Sequence, residues 1–135
     1  MEDTQGSIWI GTMYGGVSRY DRTAGRAFTN FTQNGDVEGI EVASVYEDKA
    51  GNIWFPAENF GVYRFSPAAE KAGKAPFTNF YTNEGLITNG ILCFLEDNTG
   101  RFWLGGWGGL FRFDRAAEQA GQKPVFSVTK NGPWN

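Results

Sequence analysis

Glu47-Asp48-Lys49-Ala50-Gly51-Asn52-Ile53-Trp54 is one of three near-copies of a single eight-residue segment in this chain. The other copies run from Glu2 to Trp9 and from Glu96 to Trp103, so the three tryptophans lie 45 and 49 residues apart. A fixed period of this size is typical of repeat architectures such as β-propellers, in which each repeat forms one sheet. The fold is therefore predicted from the repeat before any local signal is considered.

The residues around the middle copy predict a four-stranded antiparallel meander, which is the unit of a propeller blade. Its strands, named A to D, are expected at 42–47, 52–55, 62–65 and 77–81, where β-branched and aromatic residues alternate with polar ones. Asp48 suits the A–B turn because its carboxylate accepts hydrogen bonds from turn amides, and Gly51 suits it because glycine accepts positive φ.

Applied to the whole chain, the pattern predicts a single all-β propeller-type domain over residues 1–135. Its three blades are expected at about 1–34, 40–83 and 89–131, and the first blade lacks its innermost strand A. Propellers close with about four to eight blades. The chain is therefore expected to be either a partial propeller, cut from a larger one, or half of a six-bladed homodimer.

Two local features refine this prediction. The C–D connections 68–73 and 116–121 are rich in alanine and are expected to hold one helical turn each. Pro56 stands where the other copies have Gly11 and Gly105. Because proline has no N–H to donate to a ladder, strand B of the middle blade is expected to end or bulge there.

Composition excludes several classes of function. The net charge is −3 with no basic stripe, so nucleic acid is not expected as a partner. No apolar run is long enough to predict a membrane segment, and no signal peptide is evident. There is no histidine, which removes the commonest general base and metal ligand. Cys93, the only cysteine, lies in an apolar run and is expected to be a small buried side chain.

The repeated segment E-D-x-x-G-N-I-W, followed by G-V/L-x-R-F/Y, resembles the two-component regulator propeller repeat. The matching residues in the middle copy are Glu47, Asp48, Gly51, Asn52, Ile53, Trp54, Gly61, Val62, Arg64 and Phe65. The segment from Asn83 to Leu86 and Asn89 resemble the family's inter-blade pattern. The resemblance implies a sensory propeller outside the cytoplasm, in front of a membrane-spanning histidine kinase, that senses carbohydrates or related small molecules.

Most recurring residues are expected to serve the repeat. Trp9, Trp54 and Trp103 are expected to pack between blades. The arginines of strand C, at 19, 64 and 112, are expected to be solvated or paired across a strand. The paired Glu and Asp residues are expected to serve the A–B turn, since Asp is required there, and not acid–base catalysis or metal binding.

A candidate ligand site follows from the geometry of a meander. The B–C turns and D–A links share one end of a propeller, and each B–C turn here carries an aromatic residue. The candidate binding residues are Tyr14, Glu58, Asn59, Phe60, Asn89 and Trp107. Rings that stack on sugar faces, with polar groups that meet hydroxyls, would suit a glycan. The alternative is that these aromatics cover the ends of neighbouring blades.

The predicted function is a non-catalytic ligand-binding or sensory module without cofactor, metal or catalytic residues. Self-association, most simply into a dimer, is also expected. An alternative is an assembly module whose open blade edges pair with another chain through β-augmentation. A propeller lyase is less favoured, because the virginiamycin-type lyases, whose blades are similar, use a catalytic histidine.

Overall fold

A computed structural model describes residues 1–23, 25, 27–81, 90–107 and 109–128 of the chain. These residues form eleven strands and two short helices in three antiparallel sheets. The elements are β1 (Ile8–Gly11), β2 (Val17–Asp21), β3 (Ala27–Asn30), β4 (Tyr46–Glu47), β5 (Ile53–Pro56), β6 (Val62–Phe65), α1 (Pro67–Lys71), β7 (Phe77–Phe80), β8 (Ile91–Glu96), β9 (Phe102–Gly106), β10 (Gly109–Phe113), α2 (Arg115–Gln119) and β11 (Val125–Ser127).

The three sheets are the three predicted blades. Strands β1 to β3 form blade 1, β4 to β7 form blade 2 and β8 to β11 form blade 3, each paired in chain order as an antiparallel meander. Blade 1 lacks a full strand A, but the first two residues lie in its place. The Trp9 N–H donates to the Met1 carbonyl at 2.8 Å, and Glu2 forms an isolated bridge with Ile8. The all-β propeller-type fold is therefore confirmed.

Strand A of blade 2 is shorter than predicted. The segment 42–47 was expected to pair along its length, but only Tyr46 and Glu47 pair with β5. Ala57 donates its N–H to Gly61 on the β6 side. Since successive residues of a strand point their N–H groups to opposite sides, the nitrogen of Pro56 faces β4 and donates nothing. The N–H of Val42 donates instead to Thr12 of blade 1 at 2.8 Å.

The core consists of two apolar layers, each between neighbouring blades. Trp9 lies in the layer between blades 1 and 2, together with Val17 and Phe55. Trp54 lies in the layer between blades 2 and 3, where its ring centroid is 4.6 Å from that of Phe102. Both tryptophans are only 1% exposed. The prediction of packing between blades is confirmed for these two, whereas Trp103 is half-buried on the outward face of blade 3.

The two C–D connections each hold one helical turn, as expected. The α1 helix begins after Ser66, whose side chain accepts from the N–H of Ala69. The α2 helix begins after Asp114, whose carboxylate accepts from the N–H of Ala117 at 3.1 Å. Such N-caps satisfy amides that a short helix otherwise leaves without a partner. Both helices lie at the end of the blades where the A–B turns also lie.

Gly61 and Gly51 offer a matched test of the packing at a blade turn. Both have positive φ, +76° and +88°, but a Cβ on Gly61 would lie 2.2 Å from the Phe80 carbonyl, whereas Gly51 has nothing within 4 Å. Gly51→Ala is expected to cost about 1 kcal/mol through backbone strain alone. Gly61→Ala is expected to cost about 3 kcal/mol, because strain and overpacking add. Urea unfolding would measure both, and equal losses would contradict the close approach.

Candidate functional site

The B–C turns and the link between blades 1 and 2 form one end of the molecule, which we call the loop end. The link lies between two turns: Gly16 donates its N–H to Ile40 at 2.8 Å, and Glu58 donates its N–H to Glu41 at 3.0 Å. In blade 3 the Trp107 N–H donates to the Gly90 carbonyl at 3.0 Å. The loop end predicted from the meander therefore exists, and backbone hydrogen bonds hold it together.

The loop-end aromatics differ in how far they pack. Tyr14 and Trp107 are each 82% exposed. Phe60 is 37% exposed, and its ring lies 3.0 Å from where a Cβ on Gly39 would be. Trp107 lies against the backbone of Gly90. Phe60 thus partly covers the neighbouring link, as the packing alternative expected, whereas Tyr14 and Trp107 present most of their surface to solvent.

Two of the polar candidates, Glu58 and Asn59, directly precede Phe60 in its turn. Glu58 is half-buried, and Asn59 is exposed and adopts a left-handed φ of 68°. Asn89 lies outside the described residues. Within the described ranges no ring contact joins Tyr14, Phe60 and Trp107, so these aromatics are separate platforms along the loop end.

The aspartates of the repeat organise the opposite end of each blade. One carboxylate oxygen of Asp48 accepts from the Asn52 N–H at 2.9 Å, and the other accepts from the Trp54 indole N–H at 2.8 Å. Asp3 and Asp97 bond their own hairpins and tryptophans in the same way. The turn role was predicted. The indole bond was missed, although the constant spacing from Asp to Trp was its signal.

The carboxyl of Asp97 has a strongly lowered pKa. The hydroxyl of Thr99 donates to it at 2.6 Å, and the indole of Trp103 donates at 2.9 Å. These two bonds, with the Thr99 bond the larger cause, hold the pKa of Asp97 well below its usual range. The carboxyl is therefore an ionised acceptor at neutral pH, which fits a structural role.

The glutamates that precede these aspartates connect blades. Glu47 accepts from the backbone N–H of Thr4 at 3.0 Å and from its hydroxyl at 2.7 Å. Glu96 accepts from the Lys49 N–H at 3.1 Å and from Arg115 at 3.0 Å. Each glutamate thus binds the A–B turn of the preceding blade. The sequence predicts a turn role for both acids, and this bond to the neighbouring blade was not predicted.

The strand-C arginines also cross from blade to blade. The guanidinium of Arg19 lies 5.7 Å from the Trp9 ring, 5.3 Å from Phe31 and 5.4 Å from Phe65. Its Nη1 lies 2.8 Å from the Glu70 carboxylate on α1 of the next blade. The expectation of a solvated or cross-strand arginine was wrong for Arg19. The apolar layer between blades encloses its side chain, and α1 of the next blade supplies the acid.

Arg64 repeats the arrangement one blade later. It lies over the rings of Trp54 and Phe80, and its Nη1 is 2.7 Å from Glu118 on α2 of blade 3. The two acids occupy equivalent positions in the two connections, 70 and 118. That coincidence was the signal by which the sequence could have shown the pairing.

Part of the chain matches a known protein family. A family model described as "Two component regulator propeller" matches residues 85–108. The segment 85–108 is therefore similar to a two component regulator propeller repeat. This confirms the resemblance drawn from the repeated segment. Among curated proteins, none matches the sequence.

Two solved structures have a similar fold over most of the chain. The extracellular domain of BT4673 from B. thetaiotaomicron, assigned as a hybrid two component system, is 22% identical with a TM-score of 0.70. The extracellular domain of BT3049 from the same organism, also assigned as a hybrid two component system, is 20% identical with a TM-score of 0.64. This chain is covered over 95% and 87% of its length, but it spans only 18% and 15% of theirs. The likeness supports the propeller fold.

The outward face of blade 3, away from blade 2, is apolar and open. Leu95 is 60% exposed, and with Cys93, Trp103 and Leu110 it lines a hollow of about 430 Å³. The expectation that Cys93 is buried was wrong. The register of β8 shifts between Ile91 and Cys93, and the Cys93 thiol lies exposed on this open face.

Two further observations concern the described part of the chain only. No group of three or more His, Cys, Asp or Glu side chains is placed to hold a metal ion there. Neither helix in those ranges is long and apolar enough to cross a membrane.

Proposed function

We propose that the chain is part of a non-catalytic sensory propeller that recognises a carbohydrate or another small polar molecule at the loop end. The observation that carries this proposal is the exposure of Tyr14 and Trp107, each 82%, on B–C turns that share one end. Large aromatic surface costs free energy in water, about 25 cal/mol per Å². Placing two such rings on loops is accounted for when a ligand covers them.

Sugars suit this surface chemically. The C–H faces of a pyranose stack on aromatic rings, and its hydroxyls bond to polar groups nearby. Beside Phe60, the carboxylate of Glu58 and the amide of Asn59 supply acceptors and donors. An extended glycan could contact Tyr14 and Trp107 in succession, since the rings are separate platforms.

The turns that carry Tyr14 and Phe60 are held by equivalent asparagines. The amide of Asn30 donates to the Gly15 carbonyl at 2.9 Å, and that of Asn79 donates to the Phe60 carbonyl at 2.8 Å. A loop that is already ordered loses less conformational entropy on binding. These bonds therefore support a preformed recognition surface.

The sensory and extracytoplasmic parts of the proposal rest on the comparisons. The matching repeat is described as a regulator propeller, and both similar structures are extracellular domains. By this proposal the chain lies outside the cytoplasm and acts within a larger sensor.

A second candidate function is assembly, in which an open blade pairs with another chain. The apolar outward face of blade 3, with Leu95 60% exposed, favours this candidate. Association of two copies into a six-bladed dimer stays a prediction, and light scattering at micromolar concentration would detect it. Pairing through free strand edges also stays a prediction.

Trp107→Ala is expected to weaken glycan binding by about tenfold, or about 1.4 kcal/mol, because the stacking surface is lost. Calorimetric titration with a panel of mono- and oligosaccharides measures this without relying on tryptophan fluorescence. Phe28→Ala is the control, since Phe28 is 67% exposed but lies in β3, away from the loop end. If no sugar binds, or if both variants bind alike, the glycan proposal fails.

A further inference from the structure

The outward face of blade 3 is equivalent to the faces of blades 1 and 2 that the next blade covers. Trp103 in β9 and Leu110 in β10 hold the positions of Trp54 and Val62 in blade 2. Val62 is 1% exposed beneath blade 3, whereas Leu110 is 38% exposed. The face of blade 3 therefore has the composition of a covered surface.

The arginine of that face stands apart from its equivalents. Arg19 and Arg64 each meet a carboxylate, Glu70 or Glu118, from the connection helix of the next blade. Among the described residues, no carboxylate lies within ion-pair distance of Arg112. A buried arginine without such a partner is costly, so covering this face requires an acid.

The charges around Arg112 strengthen this requirement. It borders a hollow of about 300 Å³ that Arg101, Arg115 and one acid, Asp114, also line. The Asp114 carboxylate accepts from the Ala117 N–H as the N-cap of α2. Arg115 already pairs with Asp48 and Glu96, but Arg101 adds positive charge where Ser7 and Asn52 stand in the other copies. The hollow is thus more basic than its equivalents, and it favours an anionic side chain.

A backbone N–H group of blade 3 also indicates an acid on the partner. The N–H groups of Thr4 and Lys49 donate to Glu47 and Glu96 of the next blade. Asn98 occupies the equivalent position in blade 3. A partner that covers this face would pair with both Arg112 and the Asn98 N–H if it carried two acids placed as Glu70 and Glu47 are placed in blade 2.

We infer that the outward face of blade 3 docks a further four-stranded blade whose connection helix places a carboxylate against Arg112. Blade 1 of a second copy does not meet this requirement. Its C–D connection, 22–27, holds two arginines and no acid, and Glu2 is already paired with Arg22. The face therefore selects a blade of the α1 or α2 type and not the blade-1 face of another copy.

Cys93 makes this inference measurable, because it is the only thiol in the chain and lies exposed on the face in question. The test chain carries a copy of residues 32–81 directly after Val128, which is equivalent to Phe31 because both donate their N–H groups to strand C. The copy contains no cysteine. A matched chain has Glu70→Gln in the copy only. The readout is the rate at which dithionitrobenzoate labels Cys93, with folding checked by circular dichroism.

Labelling in the original chain is expected to be fast and independent of protein concentration. The extended chain should label at least tenfold more slowly, and the Glu70→Gln copy should lose most of that protection. Fast labelling of a folded extended chain would overturn the inference, as would equal protection by the Gln copy. Protection of the original chain as its concentration rises would show that a second copy is the occupant, and would also overturn it.

A second measurement keeps the inference testable if the extended chain does not fold. In the original chain, Arg64→Gln should lower the urea midpoint because Glu118 loses its partner, while Arg112→Gln should leave the midpoint unchanged. Equal losses would show that Arg112 already has a partner, and the inference would fail.

Discussion

Trp54→Ala is expected to destabilise the chain by about 3–5 kcal/mol. The side chain is 1% exposed and packs against Phe80, Phe102 and Phe113 from two blades. Removing it leaves a cavity at the only layer that joins blade 2 to blade 3 in the described residues. Since domains of this size are stable by about 5–15 kcal/mol, much of the native population would be lost. Urea unfolding followed by circular dichroism measures the change.

Trp107→Ala provides the control for that substitution. It removes the same side chain from a position that is 82% exposed, and the free energy of unfolding is expected to change by less than about 0.5 kcal/mol. A small loss for Trp54→Ala, or a large one for Trp107→Ala, would contradict the assignment of one tryptophan to the core and the other to the surface.

Asp48→Ala is expected to cost about 3 kcal/mol, because it leaves one buried and one half-buried donor without an acceptor, at about 1–3 kcal/mol each. Those donors are the Trp54 indole N–H and the Asn52 N–H, and Asp48 itself is 4% exposed. Arg115, at 3.3 Å, would also lose a partner. The unfolding midpoint in urea measures the loss.

Asp97→Ala is the matched comparison for Asp48→Ala. Asp97 makes the same two kinds of bond, but it lies on the open side of blade 3, where Trp103 is only half-buried. Water can replace the lost acceptor there, so a smaller loss is expected. Equal losses at the two positions would show that burial between blades does not set the strength of these bonds.

The blades could be predicted because their determinants are local. Asp48 and Trp54 lie within one hairpin, and the turn between them depends on residues adjacent in sequence. The connection helices follow from short alanine-rich segments in the same way. The length of β4 was less predictable. It depends on which side of β5 the nitrogen of Pro56 faces, and the segment before β4 bonds to blade 1.

The contacts between blades were harder to predict. Arg19 and Glu70 lie 51 residues apart, and only the packing of two sheets brings them together. Cys93 shows the same limit, because an apolar run does not reveal whether its outward face is covered. At the loop end, the exposure of Tyr14 and Trp107 agrees with the prediction, while their role in binding stays a prediction.

Side-chain bonds cross the boundary between blades 1 and 2 at two places, since blade 1 supplies Arg19 to Glu70 and Thr4 to Glu47 of its neighbour. Melting of one blade would consequently strip partners from the blade on each side of it. The chain should therefore unfold blade by blade, and a terminal blade, which packs against one neighbour only, should unfold first. The amide of Lys49, bonded across the second boundary, should exchange its hydrogen no faster than that boundary opens.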